Sequence, residues 1–203
     1  VALSGSAGVV YKIDSDNTLA FNYAYSERAP SASEFFSYGP HIGSGTYEIG
    51  GGFEITNNND QQTVVQTAND MDKEVSNNVD LSYRFNTDDL NASVSIFHNQ
   101  VDNYIFEDFT NLVFSDGGLV SSQVFADQVA TLGESADEAG GLPVVVFAQQ
   151  NAKLYGYEAQ IDWHLNDHWR IEAFTDYTRA KLASGLNVPR IPPMRIGSSA
   201  HYE

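Results

Sequence analysis

Val75-Ser76-Asn77-Asn78-Val79-Asp80-Leu81-Ser82-Tyr83-Arg84-Phe85 is the stretch on which the fold turns. Val75, Asn77, Val79, Leu81, Tyr83 and Phe85 fall on one side of an extended chain. Ser76, Asn78, Asp80, Ser82 and Arg84 fall on the other. Side chains alternate along a strand, so this segment is a ribbon with one oily and one wet face. Residues 155–165 repeat it, with Tyr155, Tyr157, Ala159, Ile161, Trp163 and Leu165 opposite Gly156, Glu158, Gln160, Asp162 and His164.

The same period extends in both directions. Leu3 to Ile13 and Leu19 to Tyr25 alternate about the turn Asp14-Ser15-Asp16-Asn17. Asn86-Thr87-Asp88-Asp89 leads into a strand from Leu90 expected to run to about Phe106. Asn166-Asp167-His168 leads into Trp169, Ile171, Ala173, Thr175 and Tyr177. Asp and Asn in these turns bond to their own backbone and favour tight reversals. Ile196 to Tyr202 opens a last strand, and the chain both starts and stops within strand-like pattern. It is therefore expected to be an internal fragment of a longer chain.

Between these ribbons lie long polar segments. Residues 27–72 contain Gly39-Pro40, Gly50-Gly51-Gly52 and the run Asn57 to Gln62. They read as one large surface loop without buried backbone. Residues 111–143 read as a second, carrying Asp116, Asp127, Glu134, Asp137 and Glu138 and no Lys or Arg. Residues 183–193 form a shorter third.

Tight turns thus alternate with long loops, as in barrels with short turns at one end and long loops at the other. Tyr11, Phe85, Trp163 and Trp169 flank the tight turns, where aromatic rings suit a membrane interface. Soluble strands usually run about 5–6 residues, and these are about twice that. The pattern favours an all-β, antiparallel, up-and-down transmembrane barrel. A soluble β-sandwich that binds carbohydrate through loop aromatics, and a passive porin or adhesin barrel, stay open.

Composition narrows the partners. Ten Lys and Arg against 27 Asp and Glu give a formal charge of −17. Nucleic acid, which needs clustered basic side chains, is not expected as a partner. The absence of cysteine excludes disulfides and thiolate metal sites. No G-x-S-x-G, H-E-x-x-H or P-loop is present, so no enzyme activity and no resident cofactor are expected.

Several phrases resemble the C-terminal barrel of the TonB-dependent outer-membrane receptors, in family order. They are Arg28-Ala29-Pro30-Ser31 with Glu34-Phe35-Phe36, then Gly39-Pro40-His41 with Thr46-Tyr47-Glu48-Ile49-Gly50. Phe97 to Ile105, Leu154-Tyr155-Gly156-Tyr157-Glu158 and Pro189-Arg190-Ile191-Pro192-Pro193-Met194-Arg195 follow. The second phrase is similar to a branch that includes zinc- and iron-linked receptors. The resemblance implies that residues 1–203 supply about seven or eight strands of a barrel of about 22. The N-terminal plug and the terminal strands would lie outside the chain. It implies residence in the outer membrane of a Gram-negative bacterium, among lipid and lipopolysaccharide. It implies TonB-energised uptake of a scarce metal ion or metal chelate, zinc or a ferric siderophore.

The candidate residues fall into two sets. Tyr38, His41, Tyr47 and Glu48 are expected to meet substrate, and His41 with Glu34 is a candidate metal pair, since imidazole and carboxylate oxygens bind zinc. Arg84, Glu158, Asp162, Arg170, Glu172 and Asp176 share the wet parity and are expected to face an aqueous lumen. Ser31-Ala32-Ser33-Glu34 has capping-box spacing and predicts a short helix.

Overall fold

The structure is a computed structural model that describes residues 1–58, 61–67, 70–132 and 140–202. Two compact units make up the chain. Unit 1 comprises residues 1–28, 73–104 and 150–203, and unit 2 comprises residues 29–72 and 105–149.

Seven long antiparallel strands run through unit 1. They are β1 (Ser4–Lys12), β2 (Asn17–Arg28), β7 (Glu74–Asn86), β8 (Leu90–Ser115), β10 (Leu142–His164), β11 (Trp169–Leu182) and β12 (Arg195–Tyr202). The end of β8 (105–115) and the start of β10 (142–149) continue into unit 2. Their order in the sheet is β1-β2-β7-β8-β10-β11-β12, so each strand lies beside its sequence neighbour along this path. Register keeps the parity of the sequence. Phe21 pairs with Leu81, and Leu81 with Ile96. One oily row therefore crosses three strands, and Val9 opposite Phe21 extends it to β1.

That oily row is open to its surroundings. Val9, Phe21, Leu81 and Ile96 are 61%, 42%, 39% and 53% exposed. A soluble sandwich would bury such a face, so the exposure fits lipid. No helix among the described residues is long and apolar enough to cross a membrane, which says nothing of strands.

Local chemistry fixes the turns. Asp14 Oδ1 accepts from the backbone N–H groups of Asp16 and Asn17, at 2.9 and 2.8 Å, and from the Asn17 side chain at 2.7 Å. Asn166 Oδ1 does the same for the N–H groups of His168 and Trp169, at 3.0 Å each. The three tight turns fall where the Asp and Asn clusters place them.

Unit 2 departs from the sequence reading. The segment read as an open loop over 27–72 holds α1 (Ala32–Phe36), β3 (Tyr38–His41), β4 (Thr46–Ile49), β5 (Phe53–Asn58) and β6 (Gln61–Gln66). All four residues of β4 are buried, and Ile49 is fully so. The reason is pairing. β4 runs antiparallel to β3 and parallel to β10, with Tyr47, Glu48 and Ile49 opposite Val144, Val145 and Val146. A strand covered on both faces loses its alternation. Tyr47, Ile49 and Val144 form a core packed by Phe53, Val64, Phe114 and Leu119.

The second loop reading changes likewise. β8 continues to Ser115, and β9 (Gly118–Ser121) and α2 (Ser122–Leu132) follow. β10 begins at Leu142, well before residue 155. Asn59, Asp60, Glu134, Asp137 and Glu138, read above as loop residues, lie outside the described residues, as does Glu203. The capping box forms as its spacing requires: Glu34 N–H donates to Ser31 Oγ at 3.2 Å, and Ser31 N–H donates to Glu34 Oε2 at 2.7 Å.

Candidate functional site

Two polar cavities stand out, one in each unit. In unit 1 a cavity of about 850 Å³ lies on the wet-parity face, among Arg84, Ser93, Glu158, Gln160, Asp162, Glu172 and Ser199. Arg170 is the hub beside it. Its Nε donates to Asp162 Oδ1 at 2.9 Å, and its Nη2 lies 2.7 Å from Asp162 Oδ2 and 2.6 Å from Glu172 Oε1. Glu172 also accepts from Ser199 Oγ at 3.2 Å, with His201 Nε2 3.5 Å away. Asp176 pairs with Arg195 at 3.0 Å. Register places Glu158 opposite Asp176 and Asp162 opposite Glu172. Like charges so placed repel; Arg195 is bound to Asp176 of the first pair, and Arg170 to both members of the second.

Glycines also shape this face, which the sequence reading passed over. Phe174 pairs with Gly197 across β11 and β12, and its ring fills the space a side chain there would take. At Gly156 the Tyr177 carbonyl oxygen takes that space first, with the Phe97 ring next to it. Both aromatics have wet parity, so parity alone assigns them poorly. The signal was available as an aromatic on one strand facing a glycine on the next.

Unit 2 holds the second cavity, about 520 Å³, bounded by Ser33, Ser37, Tyr38, Pro40, His41, Glu48, Glu107 and Phe147. β3 and β4 bring His41 and Glu48 together. His41 Nδ1 sits 2.7 Å from Glu48 Oε1, and the Glu48 side chain is only 11% exposed. Ser44 Oγ lies 3.0 Å from the same imidazole nitrogen. Tyr38 meets Tyr47 edge-on at 5.9 Å and lies 5.4 Å from Phe53.

Of the expected substrate residues, Tyr38, His41 and Glu48 line one cavity. Tyr47 does not. It is buried in the core, its ring stacked on Phe114 at 4.1 Å. Burial, reinforced by Tyr38, pushes the Tyr47 phenol above its ordinary range. The Glu34 carboxylate closes the capping box, and the carboxylate at His41 belongs to Glu48. Among the described residues no three His, Asp or Glu side chains group as a metal site. Glu107 and Phe147 were not singled out in the sequence, because they reach the cavity from β8 and β10.

Arg28 of the R-A-P-S phrase pairs with Glu74, its register partner on β7. Lys73 Nζ holds Glu27 at 2.5 Å beside it. Glu74 is buried. The phrase is therefore a corner that fastens the end of β2 to β7.

The comparisons agree with this architecture. The family model described as "TonB dependent receptor-like, beta-barrel" matches residues 1–203. The chain belongs to the TonB-dependent receptor family. Among solved structures it is similar to the copper transporter OprC, with TM-score 0.66 and 18% identity over 98% of this chain and 24% of that one. It is similar to the siderophore receptor PirA from Acinetobacter baumannii, with TM-score 0.60 and 18% identity over 98% of this chain and 26% of that one. The ferric yersiniabactin uptake receptor FyuA from Yersinia pestis gives TM-score 0.52 at 15% identity, over 97% of this chain and 22% of that one. The chain spans about a quarter of the length of these structures. Membership places it in the outer membrane of a Gram-negative bacterium, in a family of receptors rather than enzymes. The sandwich and porin readings are set aside with it.

Proposed function

We propose that the protein is an outer-membrane active-transport receptor for a scarce metal ion or metal chelate, energised by TonB. The observation that carries this reading is the path of seven long strands through the sheet, with an open oily face and a charged, hydrogen-bonded opposite face, in a chain matched throughout by the receptor barrel family. On this reading Arg84, Glu158, Asp162, Arg170, Glu172 and Asp176 border the aqueous lumen. Facing lipid instead, each arginine would cost about 2–4 kcal/mol at midplane, and each carboxylate somewhat less. Tyr38, His41 and Glu48 are the cargo-facing candidates. Lipid and lipopolysaccharide surround the barrel, and the TonB complex acts through segments beyond the strands described here.

The test is uptake by the full-length receptor in cells. Radiolabelled zinc and a radiolabelled ferric siderophore are offered with TonB intact and with TonB deleted. The expected result is accumulation of one cargo that needs both the receptor and TonB. Accumulation indifferent to TonB would refute the reading.

A further inference from the structure

The loop end of the β10–β11 pair carries a basic patch on the oily side of unit 1. Lys153 is paired directly with Lys181, and Tyr155 with Arg179. All four share the parity of Ala159 and Ile161 on β10 and of Ile171 and Ala173 on β11. The opposite parity is closed off at this level, where Ala152, Ala180 and Leu182 are buried. The three cations therefore belong to the outer face, and Lys153 and Arg179 are exposed there.

The patch is a local exception in an acidic chain. Residues 150–157 and 177–193 contain no Asp or Glu, yet hold Lys153, Arg179, Lys181 and Arg190, four of the ten Lys and Arg. Arg28, Lys73, Arg170 and Arg195 each hold a carboxylate. Lys153, Arg179 and Lys181 make no ion pair among the described residues, and Lys181 Nζ donates to the Gly185 carbonyl at 3.1 Å. Like charges facing each other across two strands repel, so Lys153 opposite Lys181 favours an anion from outside the chain. Arg179 and Arg190 also border one cavity of about 340 Å³, with Asn187 and Ile191.

Height in the membrane indicates which anion. Trp163 and Trp169 flank the tight turn, while Tyr155, Tyr157 and Tyr177 lie towards the loops, the rings of the last two 6.0 Å apart. At about 3.3 Å per residue and a strand tilt of about 40°, Trp169 to Tyr177 covers roughly 20 Å of the barrel axis, and Trp169 to Lys181 roughly 30 Å. The apolar band of such barrels is about 25 Å tall, with an aromatic girdle at each edge. The tyrosines thus form the second girdle, and the cations stand at its rim, level with lipid headgroups. Long loops mark this end as the outward one, where the leaflet is lipopolysaccharide. We infer that Lys153, Arg179, Lys181 and Arg190 bind the phosphate groups of lipopolysaccharide on the outer wall of the barrel. Guanidinium forks grip phosphate oxygens in pairs, and the ammonium groups add point charge. Four cations spread over two strands and a loop suit a headgroup with two phosphates better than a single phosphodiester. This site deepens the receptor reading and rests on it, because it needs the barrel to stand in an outer membrane.

The experiment uses the full-length receptor, purified in detergent and stripped of lipid, with bound lipid counted by native mass spectrometry. The probes are diphosphorylated lipid A, the same lipid A with both phosphates removed, and phosphatidylglycerol. Inorganic phosphate serves as competitor. Lys153→Gln alone, Arg179→Gln alone and Lys153→Gln combined with Lys181→Gln are measured against Lys12→Gln, which lies at the tight-turn end of β1. Heat-modified gel mobility confirms that each variant remains folded. Lys153 is exposed and makes no polar side-chain contact among the described residues, so its single variant keeps the test readable if the double variant fails to fold.

The expected result is that wild type holds the diphosphorylated lipid about ten-fold or more tighter than the dephosphorylated one. The double variant loses that preference, each single variant weakens it, and Lys12→Gln keeps it. Equal binding of the two forms of lipid A, equal binding of phosphatidylglycerol, displacement by inorganic phosphate at equal concentration, or a preference undiminished in the basic-patch variants overturns the site. TonB-dependent uptake by a receptor without phosphate preference would sink the site while leaving the receptor reading intact. Phosphate preference without TonB-dependent uptake would do the reverse.

Discussion

The ring of Phe174 lies over Gly197, its directly paired residue across β11 and β12, and occupies the place of the side chain that Gly197 lacks. A Cβ built on Gly197 comes within 2.7 Å of Phe174 Cζ. Gly197→Ala should therefore push the ring aside or bend the strand pair, destabilising the sheet by about 1–3 kcal/mol. Gly5→Ala, with nothing within 4 Å of its Cβ position, is the control and should change little. Thermal unfolding followed by gel mobility of the folded and unfolded forms would separate them.

The buried strand β4 makes a second prediction. Ile49 is fully buried, and Ile49→Ala removes atoms that the core of unit 2 cannot quickly replace. A cost of about 2–5 kcal/mol is expected. Amide exchange should locate the loss in residues 46–49 and their partners 144–146. A uniform loss over β2 and β7 would argue against a separate core in unit 2.

These two sites also mark where the sequence could and could not be read. The long strands were legible over 75–85 and 155–165 because one face is oily and open and the other is polar, so the two-residue period stays clean; the end of β8 and the start of β10 were read as loop. Even their turns were legible, since Asp14 and Asn166 bond to the N–H groups that follow them. Thr46-Tyr47-Glu48-Ile49 was not legible. It is four residues long, covered on both sides, and paired in parallel with a strand about a hundred positions away. No local pattern carries that information. The cavity was half legible: His41 and Glu48 stood near each other in sequence, while Glu107 and Phe147 arrive through tertiary pairing.

The α1 cap is a smaller and more local test. Ser31→Ala removes the acceptor for Glu34 N–H and should cost about 1 kcal/mol, within the usual range for lost caps. Faster amide exchange over residues 32–36 would register it, with the long strands unaffected.

Acid should loosen the first turn. The Asn17 side chain and then the Asp16 N–H hold the Asp14 carboxyl below its ordinary range. A lowered pKa means the anion is preferred in the folded turn. Its contribution is present above the unfolded carboxylate pKa and is lost as pH falls through the folded one. Exchange of the Asp16 and Asn17 amides, compared between wild type and Asp14→Ala, should converge at low pH and differ at neutral pH.

The direct test of the oily-face assignment is a spin-label scan along β7. Residues 79–84 are replaced one at a time by cysteine in the full-length receptor, labelled with nitroxide and reconstituted in bilayers. Labels at 79, 81 and 83 should be relaxed by oxygen, which partitions into acyl chains. Labels at 80, 82 and 84 should respond instead to a water-soluble nickel chelate. Accessibility without a two-residue period, or with the two parities exchanged, would contradict a sheet that turns Leu81 to lipid and Arg84 to water.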